Sequence, residues 1–341
     1  MRIAIIGTGA VGGLIGARLA EAGEAVTLVD VGVQQEALRS DGLTLETPAG
    51  ERSVVQGAVV RDLTDAGAQD LVVLAVKAHD LSTVAEHLPC LYHDQTIVLP
   101  VQNGLPWWYF QRTNGLWAAR RIQSLDPDGS LERHVPADRI VGAVVYPAAE
   151  VVEPGVVRHV EGNRIVVGEL DDRPSERTQG VIDLLTRGGF KSFFLEDLRG
   201  EIWLKLLGSA VFNPLSALTH ATMADICRFE PSRSLAVELM EEVQSVANAF
   251  GVTIRLPIEK RMAGAERVGP HKTSTLQDVE RGKRLEVDAL VGAVVEIAGW
   301  VGVSTPKLEA IAAATYLLDR TVCDERVAIR SLPRVEGRFP D

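Results

Sequence analysis

The sequence contains few cysteines, few aromatic residues and fewer basic than acidic side chains. Among its 341 residues are three cysteines, and aromatic residues make up 5%. Cys90, Cys227 and Cys323 are far apart, and none belongs to a CxxC motif or to a zinc-finger spacing with histidine. This scatter argues against a disulfide framework and is typical of thiols in a reducing compartment. We therefore expect a cytoplasmic protein without a metal site.

Charge and hydropathy narrow the class of protein further. Lys and Arg number 35 and Asp and Glu number 46, so the formal net charge is −11, which argues against a general nucleic-acid binder. No apolar run approaches the roughly 18–20 residues that span a bilayer. The apolar start after Arg2 resembles a signal peptide, but its five glycines and its division into strand, turn and helix favour a folded segment. We expect neither a nucleic-acid partner nor a membrane segment.

Short apolar strands alternate with helices in the first part of the chain. The alternation predicts a parallel, doubly wound sheet, because each crossing helix returns the next strand in the same direction. A hairpin is expected in LTLET and RSVVQGAVV, an irregular insertion at 107–138, and more antiparallel pairing afterwards. The predicted strands are 2–6, 26–30, 71–76, 96–101, 140–145, 155–160, 164–170 and 191–196, and the predicted helices are 10–22, 79–88 and 174–188.

From about Leu198 the spacing of apolar residues becomes helical. The predicted helices lie near 198–219, 231–250, 272–282, 287–301 and 306–319. Gly251 and Gly302 stand where left-handed glycine caps end helices. The expected fold class is therefore α/β, with a Rossmann-like, dinucleotide-binding domain over 1–197 and an all-helical substrate and catalytic domain over 198–341.

A glycine-rich loop follows the first predicted strand and opens the first predicted helix. The first glycine of such a loop permits a tight turn, the second lets the backbone approach a pyrophosphate, and the third allows close packing of helix on strand. The helix N-terminus supplies N–H groups and a dipole to the phosphates. Because a second strand follows in the correct place, the sequence predicts a dinucleotide site here. The GxGxxG residues are Gly7, Thr8, Gly9, Ala10, Val11 and Gly12.

Three further polar residues follow predicted strands, at the carboxyl ends where ligands bind in this architecture. Asp30 ends the second strand, at the spacing where an acid bonds the adenosine ribose; a solvated strand end is the alternative. Its carboxylate would repel a 2′-phosphate, and no Lys or Arg lies between Asp30 and Arg39, so NADH is favoured over NADPH. Lys77 and Asn103 follow the next two buried strands. For Lys77, a solvated loop lysine is the alternative interpretation.

The first helix of the second domain carries a polar stripe on an otherwise apolar surface. Lys205, Ser209 and Asn213 are spaced i, i+4 and i+8 and therefore share one face. Burying an ammonium is costly, so Lys205 needs an anionic neighbour or a functional cavity, unless it extends to solvent. A second polar set runs from Ser274 to Glu286. No HExxH motif, nucleophile elbow or carboxylate cluster indicates metal catalysis or covalent hydrolysis.

Five segments, taken in order along the chain, resemble the 2-dehydropantoate 2-reductase (ketopantoate reductase) family. They are GTGAVGG at 7–13, VKAHD at 76–80, VQNG at 101–104, EIWLKLLGSAVFNPLSAL at 201–218 and STLQDVERGKRLEVDALVG at 274–292. The match extends from residue 1 to about residue 320, and the last two segments are more specific than the glycine pattern. The resemblance implies NAD(P)H-dependent reduction of the 2-oxo group of 2-dehydropantoate to (R)-pantoate, in pantothenate and coenzyme A biosynthesis.

The resemblance also implies roles for individual residues. Lys205 falls on the family's catalytic lysine, which donates a proton to the carbonyl oxygen as hydride arrives from the nicotinamide and stabilises the developing alkoxide. Asn213 and Ser274 fall on substrate-binding positions, and Ser209 joins them on the stripe. The positions that match cofactor contacts are Lys77, Asn103, which also faces the substrate, Ala148, and Glu286, which could balance the charge of Lys205.

The chain departs from the family pattern at several places. Ser209 stands where the family commonly has asparagine, and no asparagine is found near Met223. Asp30, without a basic residue after it, departs from the NADPH-preferring pattern. The insertion at 107–138 is longer than in compact members, and it could alter substrate choice. Two alternatives stay open: an NAD-dependent dehydrogenase of another 2-oxo acid, hydroxy acid or opine-like substrate, and a non-catalytic dinucleotide sensor. The sequence does not fix the oligomeric state, and a homodimer is one alternative.

Overall fold

The structure, a computed structural model, describes residues 1–324; residues 325–341 of the predicted helical domain lie outside the described residues. Residues 1–202 form one compact unit, and a second unit begins at Trp203, so the division lies inside one long helix. In the part of the chain that the structure describes, no helix is both long enough and apolar enough to cross a membrane. All three cysteines are free thiols.

The first unit is built from twelve strands and five helices within residues 1–202, all of which the structure describes. The strands are β1 (Arg2–Ile6), β2 (Ala25–Val29), β3 (Leu43–Glu46), β4 (Arg52–Val55), β5 (Ala58–Val60), β6 (Leu71–Leu74), β7 (Ile97–Pro100), β8 (Gly142–Val145), β9 (Ala148–Glu153), β10 (Val156–Glu161), β11 (Arg164–Gly168) and β12 (Lys191–Phe194). The helices are α1 (Ala10–Glu21), α2 (Gly32–Asp41), α3 (Leu81–Ala85), α4 (Ser130–His134) and α5 (Glu176–Arg187).

The main sheet has five parallel strands in the order β5-β2-β1-β6-β7. Every residue of β6 and β7 is buried, as expected of parallel strands that are covered on both faces. The predicted Rossmann-like sheet is therefore confirmed. All five carboxyl ends lie at one edge of this sheet, so the loops that follow the strands are brought together there.

Two smaller sheets complete the first unit, with the orders β4-β3-β10-β9 and β12-β11-β8. The predicted hairpin is confirmed for β3 and β4, which pair antiparallel. For the end of RSVVQGAVV the hairpin prediction is wrong, because β5, which follows Gly57, does not join the hairpin and pairs parallel with β2. Strand β9 was not predicted, and the later pairing is mixed, since β11 is antiparallel to β8 and parallel to β12. The single helix predicted at 79–88 is a short α3 between two 3-10 turns.

The insertion at 107–138 is largely irregular, as predicted, and its aromatic start is buried. The four side chains of Trp107–Phe110 are each at most 4% exposed. A Cβ on Gly142 of β8 would lie 2.7 Å from the indole of Trp108, so this ring packs directly on the strand. Asp126, itself buried, accepts hydrogen bonds from the backbone nitrogens of Leu131 and Glu132 and so caps α4. The aromatic cluster is therefore a packing anchor of the insertion.

The second unit is helical throughout its described part. Its helices are α6 (Leu198–Thr219, which begins in the first unit), α7 (Met223–Arg228), α8 (Glu230–Ala249), α9 (Ile258–Val268), α10 (Ser274–Glu280), α11 (Ala293–Val301) and α12 (Pro306–Cys323), with a π-helical segment at Asp288–Gly292. The five predicted helices are confirmed. Gly251 and Gly302 have φ of +78° and +67°, which confirms both predicted glycine ends. Helices α7 and α9 were not predicted, although Thr222 and Asp225 form a capping box at the start of α7.

Candidate active site

The loop between β1 and α1 has the geometry of a phosphate cradle. Gly7 has φ of +91°, and a Cβ there would lie 2.7 Å from the backbone nitrogen of Val76. A Cβ on Gly12 would overlap the carbonyl oxygen of Gly7 and lie 2.7 Å from the Cβ of Ala75. A Cβ on Gly9, in contrast, would meet no atom within 4 Å. Gly7 and Gly12 are therefore required by packing, whereas Gly9 leaves open space before the helix.

The N-terminus of α1 fits the pyrophosphate of a nicotinamide dinucleotide. Its N-cap is Gly9, which has no side chain to cap the first N–H groups, and its first turn contains no acidic residue. Ala10 and Val11, the next two residues, are only partly buried. An uncapped helix N-terminus presents N–H donors and the positive end of the helix dipole, and both favour a bound phosphate.

Asp30, directly after β2, contacts the glycine loop. Its Oδ2 accepts hydrogen bonds from the backbone nitrogen of Thr8 at 2.6 Å and from the Thr8 hydroxyl at 2.5 Å. Its Oδ1 accepts a bond from the nitrogen of Val31 at 2.8 Å. The Gln34 side chain donates to the Thr8 carbonyl at 2.8 Å. Asp30 thus positions the loop, a role that spacing did not reveal, and its bond to the ribose stays a prediction.

Lys77 and Asn103 lie at the same sheet edge as the glycine loop, because β1, β6 and β7 are adjacent and parallel. Both side chains are partly buried. Gln102 joins the two loops, since its Nε2 donates to the carbonyl oxygens of Leu74 at 2.8 Å and Val76 at 2.9 Å. This positioning role was not predicted, although Gln102 is part of the VQNG segment.

Ala148 lies on a different sheet from these residues. It begins β9 and is partly buried. Strands β9 and β10 pack against α1, so closely that a Cβ on Gly13 would lie 2.6 Å from a methyl group of Val157. Ala148 therefore belongs to the layer that covers the dinucleotide helix, and its backbone contact with a cofactor stays a prediction.

In the second unit, Lys205, Ser209 and Asn213 follow one another on successive turns of α6. All three side chains are partly buried. The Ser209 hydroxyl donates to the carbonyl oxygen of Lys205 at 3.3 Å, so it bonds its own helix. Pro214 lies inside the helix directly after Asn213 and removes one backbone hydrogen bond to the carbonyl of Ala210. The predicted polar stripe is present on one helical face.

The ammonium of Lys205 is electrostatically perturbed. Burial lowers the pKa of Lys205 to about 8, because an apolar environment disfavours the charged form. The carboxylate of Glu286 opposes this shift and raises the pKa. The two residues are far apart in the sequence, and the fold of the second unit brings them together. A lysine with a pKa near neutral pH is suited to general acid catalysis, since it carries a proton and releases it readily.

Ser274 and Glu286 lie at opposite ends of the polar segment around α10. Ser274 is the first residue of α10 and is exposed. Its neighbour Thr273 is the N-cap, and the Thr273 hydroxyl accepts a bond from the nitrogen of Leu276 at 3.2 Å. Glu286 is partly buried and precedes the π-helical segment. The hydroxyl of Ser274 is thus accessible to a ligand, and substrate binding by this residue stays a prediction.

A parallel-sheet unit with a dinucleotide loop, joined in one chain to a helical unit that carries a lysine of lowered pKa, defines a nicotinamide-dependent oxidoreductase. Comparison with protein families shows to which family of oxidoreductases the chain belongs. The model described as ketopantoate reductase PanE/ApbA matches residues 3–172, and the model of its C-terminal part matches residues 197–318. The chain therefore belongs to the ketopantoate reductase family, as the sequence motifs indicated.

Individual relatives agree with this assignment. The chain is 41% identical over 314 residues to the 2-dehydropantoate 2-reductase of Mesorhizobium japonicum, and the match covers 92% of this chain and 96% of the relative. It is 31% identical to the 2-dehydropantoate 2-reductase of Halobacterium salinarum, with coverage of 94% and 99%. A crystal structure from Ralstonia solanacearum MolK2, provisionally named a ketopantoate reductase, has a TM-score of 0.89 and 36% identity, with coverage of 94% and 98%.

Proposed function

We propose that this protein catalyses the NAD(P)H-dependent reduction of 2-dehydropantoate to (R)-pantoate, a step toward pantothenate and coenzyme A. The observation that carries the proposal is the partly buried Lys205, whose pKa of about 8 is set by burial and by the opposing carboxylate of Glu286. The identity of 41% to the 2-dehydropantoate 2-reductase of Mesorhizobium japonicum supports the choice of substrate. We assign the pyrophosphate-binding loop to the first unit and the proton donor to the second.

The proposed reaction adds a hydride to the 2-oxo carbon and a proton to its oxygen. A bound nicotinamide cofactor supplies the hydride. Lys205 donates the proton from its Nζ to the carbonyl oxygen and stabilises the negative charge that develops there. Glu286 favours the protonated form of Lys205 and so keeps the donor charged before the reaction. Solvent then returns a proton to the neutral amine.

The remaining site residues are assigned to binding. The glycine loop, with Gly7, Gly9 and Gly12, holds the pyrophosphate at the start of α1. Lys77, Asn103, Ala148 and Glu286 are proposed cofactor contacts. Asn103, Asn213 and Ser274 are proposed substrate contacts together with Lys205 and Ser209.

We further propose that NADH is preferred over NADPH. Asp30 lies at the carboxyl end of β2, the place of the acid that binds the ribose hydroxyls in NAD-dependent members of this architecture. Thr8 and Val31 occupy part of its hydrogen-bonding capacity, but a carboxylate has about four acceptor positions in total, so it can also accept from a ribose hydroxyl. Its negative charge disfavours a 2′-phosphate.

A homodimer and a cytoplasmic location are also proposed. A solved ketopantoate reductase from Staphylococcus aureus is described as dimeric, and it has the same fold, with a TM-score of 0.73 and 24% identity. Light scattering coupled to gel filtration tests the assembly: a mass near twice 36.8 kDa supports the dimer, and a mass near 36.8 kDa contradicts it. The cytoplasmic location is supported by the scattered free thiols.

One observation favours a second candidate, a dehydrogenase of another 2-oxo acid. Ser209 stands at the place where the family commonly has an asparagine. Its side chain is shorter, and its hydroxyl donates to the backbone of its own helix, so the polar group at this turn extends less far from α6. A protein with the same fold, at 21% identity and a TM-score of 0.81, is a D-mandelate dehydrogenase solved with NADH and anilino(oxo)acetate. A larger side chain on the substrate would fill the space that an asparagine would occupy.

The deciding experiment follows the absorbance of the reduced cofactor with purified protein, 2-dehydropantoate, and NADH or NADPH in parallel. Rapid oxidation of the reduced cofactor in the presence of 2-dehydropantoate supports the proposed function. A faster reaction with NADH than with NADPH supports the proposed cofactor preference. Oxidation only with bulkier 2-oxo acids, such as aryl-substituted ones, selects the second candidate. Binding of the cofactor without oxidation by any 2-oxo acid contradicts both candidates and favours a sensor.

A further inference from the structure

Glu286 lies just before the π-helical segment Asp288–Gly292. The backbone nitrogen of Ala293 donates to the carbonyl oxygen of Asp288, which is the i to i+5 hydrogen bond of a π-helix. The carbonyl oxygen of Glu286 accepts from the nitrogen of Leu290 at 3.1 Å, so the backbone of Glu286 belongs to the same hydrogen-bonded ladder. Single π-helical turns are rare and are frequent at functional sites. This one directly follows the segment that carries the charge acting on Lys205.

The two neighbours of Glu286 in the chain are anchored in a small core cluster. Leu285 and Val287 are both buried, and the cluster that contains them also includes Ala217 of α6 and Val322 of α12. The chain on either side of Glu286 is thus packed against the helix that carries Lys205 and against α12. Glu286 itself is only partly buried, so the place of its carboxylate depends on how these neighbours are held.

Asp319 of α12 holds the backbone on the N-terminal side of Glu286. Its Oδ1 accepts a hydrogen bond from the backbone nitrogen of Leu285 at 2.6 Å. The thiol of Cys323 donates to the same oxygen at 3.7 Å, and Oδ2 lies 3.7 Å from the Nε of Arg284. The Asp319 side chain is 16% exposed. Because a hydrogen bond to an ionised acceptor is stronger than one between neutral groups, this carboxylate fixes the residue directly before Glu286.

Tyr316 lies one turn before Asp319 on the same face of α12 and contacts the π-helical segment. Its hydroxyl donates to Oδ1 of Asp288 at 2.5 Å. A Cβ on Gly292 would overlap this hydroxyl, so Tyr316 contacts the first and the last residue of the segment. Burial and the hydrogen bond to Asp288 raise the pKa of Tyr316 well above its ordinary value, and the charges of Glu296 and Asp319 add to this. The hydroxyl therefore stays protonated and remains a donor throughout the pH range of an enzyme assay.

We propose that Asp319 and Tyr316 are positioning residues that hold Glu286 where its carboxylate acts on Lys205. From one face of α12 they bind the chain one residue before Glu286 and two residues after it. The inference rests on the proposed function, in which Lys205 is the proton donor. It goes beyond the family motifs, because both residues lie outside the five segments that carry the resemblance.

Substitutions on α12 test the proposal in the full-length protein. Asp319→Ala removes the acceptor of the Leu285 nitrogen and is expected to lower the pKa of Lys205 by about one pH unit, because a nearby opposite charge changes a pKa by roughly 1–3. The protonated lysine is the proposed donor, so the fall of kcat/KM with rising pH should move to lower pH by the same amount. Asp319→Asn keeps an oxygen acceptor and should restore the wild-type profile. Tyr316→Phe keeps the ring without the hydroxyl and should give a smaller shift in the same direction as Asp319→Ala.

A double variant shows whether Asp319 acts through Glu286. Glu286→Gln removes the charge that raises the pKa of Lys205. Adding Asp319→Ala to this variant should therefore lower the pKa of Lys205 no further, since residues that act through one another are not additive. A full additional decrease in the double variant would mean that Asp319 does not work by positioning Glu286, and the proposal would fail.

Two substitutions on α12 serve as matched controls. Asp324→Ala removes an exposed carboxylate that pairs with Arg320 at 3.8 Å. Thr315→Ala removes a buried hydroxyl that donates to the carbonyl oxygen of Ile311 in the same helix, so it should lower the melting temperature. Both variants are expected to keep the wild-type pKa of Lys205. If Asp319→Ala also lowers only the melting temperature, Asp319 has a structural role alone and the proposal is overturned.

A measurement that needs no substrate separates this failure from that of the proposed function. Trace acetylation by acetic anhydride, quantified at Lys205 by mass spectrometry over a range of pH, reports the pKa of this amine directly. Reduction of 2-dehydropantoate by the wild type, with the same pKa of Lys205 in all variants, overturns the positioning role alone. A pKa that falls in Asp319→Ala and is restored in Asp319→Asn supports the positioning role, even in a protein that reduces no 2-oxo acid, where the proposed function alone is contradicted.

Discussion

The carboxylate of Asp30 accepts two hydrogen bonds from Thr8, one from its backbone nitrogen at 2.6 Å and one from its hydroxyl at 2.5 Å. Thr8 is fully buried, so this contact joins the end of β2 to the centre of the glycine loop. Asp30 therefore has one observed role, holding the glycine loop, and one proposed role, binding the ribose of the cofactor. Variants at this position distinguish them.

Asp30→Asn is expected to raise the ratio of kcat/KM for NADPH to that for NADH by about tenfold. The amide keeps an oxygen for Thr8 but removes the charge that repels a 2′-phosphate, and two charges about 4 Å apart near a surface interact by at least about 1 kcal/mol. Asp30→Ala is expected to weaken both cofactors as well, because Thr8 loses its acceptor. Asp41→Asn, at the exposed end of α2, is the control. An unchanged ratio would show that Asp30 does not reach the ribose.

Lys205→Ala is expected to lower kcat by about 10²- to 10⁴-fold, the usual contribution of a positioned general acid. Binding of the reduced cofactor, followed by its fluorescence, should persist. Lys307→Ala on α12 serves as the control, since this lysine is exposed and pairs with Glu238 at 3.6 Å. Near-normal turnover in Lys205→Ala would show that Lys205 is not the general acid.

The pH dependence of reduction reports the state of Lys205. The protonated form is the active one, so kcat/KM is expected to fall as the pH rises through about 8. Glu286 raises the pKa of Lys205, so Glu286→Gln should move this fall to lower pH. The pH profiles of wild type and variant, measured with saturating cofactor, provide the check. A shift to higher pH in the variant would contradict the assigned interaction.

Two of the loop glycines, Gly9 and Gly12, are expected to respond differently to alanine. Gly12→Ala introduces a Cβ that overlaps the carbonyl of Gly7, so it should lower the free energy of unfolding by about 1–3 kcal/mol and abolish cofactor binding. Gly9→Ala meets no protein atom, so the melting temperature should stay near that of wild type while cofactor affinity falls. Thermal melts and cofactor titrations separate the two. Equal affinity in Gly9→Ala would mean that no phosphate occupies the space before α1.

Several parts of the fold followed from the sequence because their signals are local. The glycine loop was predicted from its pattern and flanking strand, and the structure confirms the tight turn at Gly7. The helix at 198–219 was predicted in full, since its apolar spacing persists across Pro214. Helices α7 and α9 were missed, because α7 has six residues and α9 contains Gly264 and follows Pro257, so the helical period is weak in both.

The sequence by itself was enough to predict the candidate site residues: a polar stripe with one lysine on a single helix, an acid after β2, and glycines before α1. Tertiary structure decided what these residues contact. Whether β5 pairs with β4 or β2 depends on backbone hydrogen bonds between distant segments, and either choice satisfies the same apolar pattern. The Asp30–Thr8 contact and the lowered pKa of Lys205 beside Glu286 both join residues that are far apart in the chain. Local periodicity encodes which face of an element is buried; which partner meets that face is set only when the chain packs.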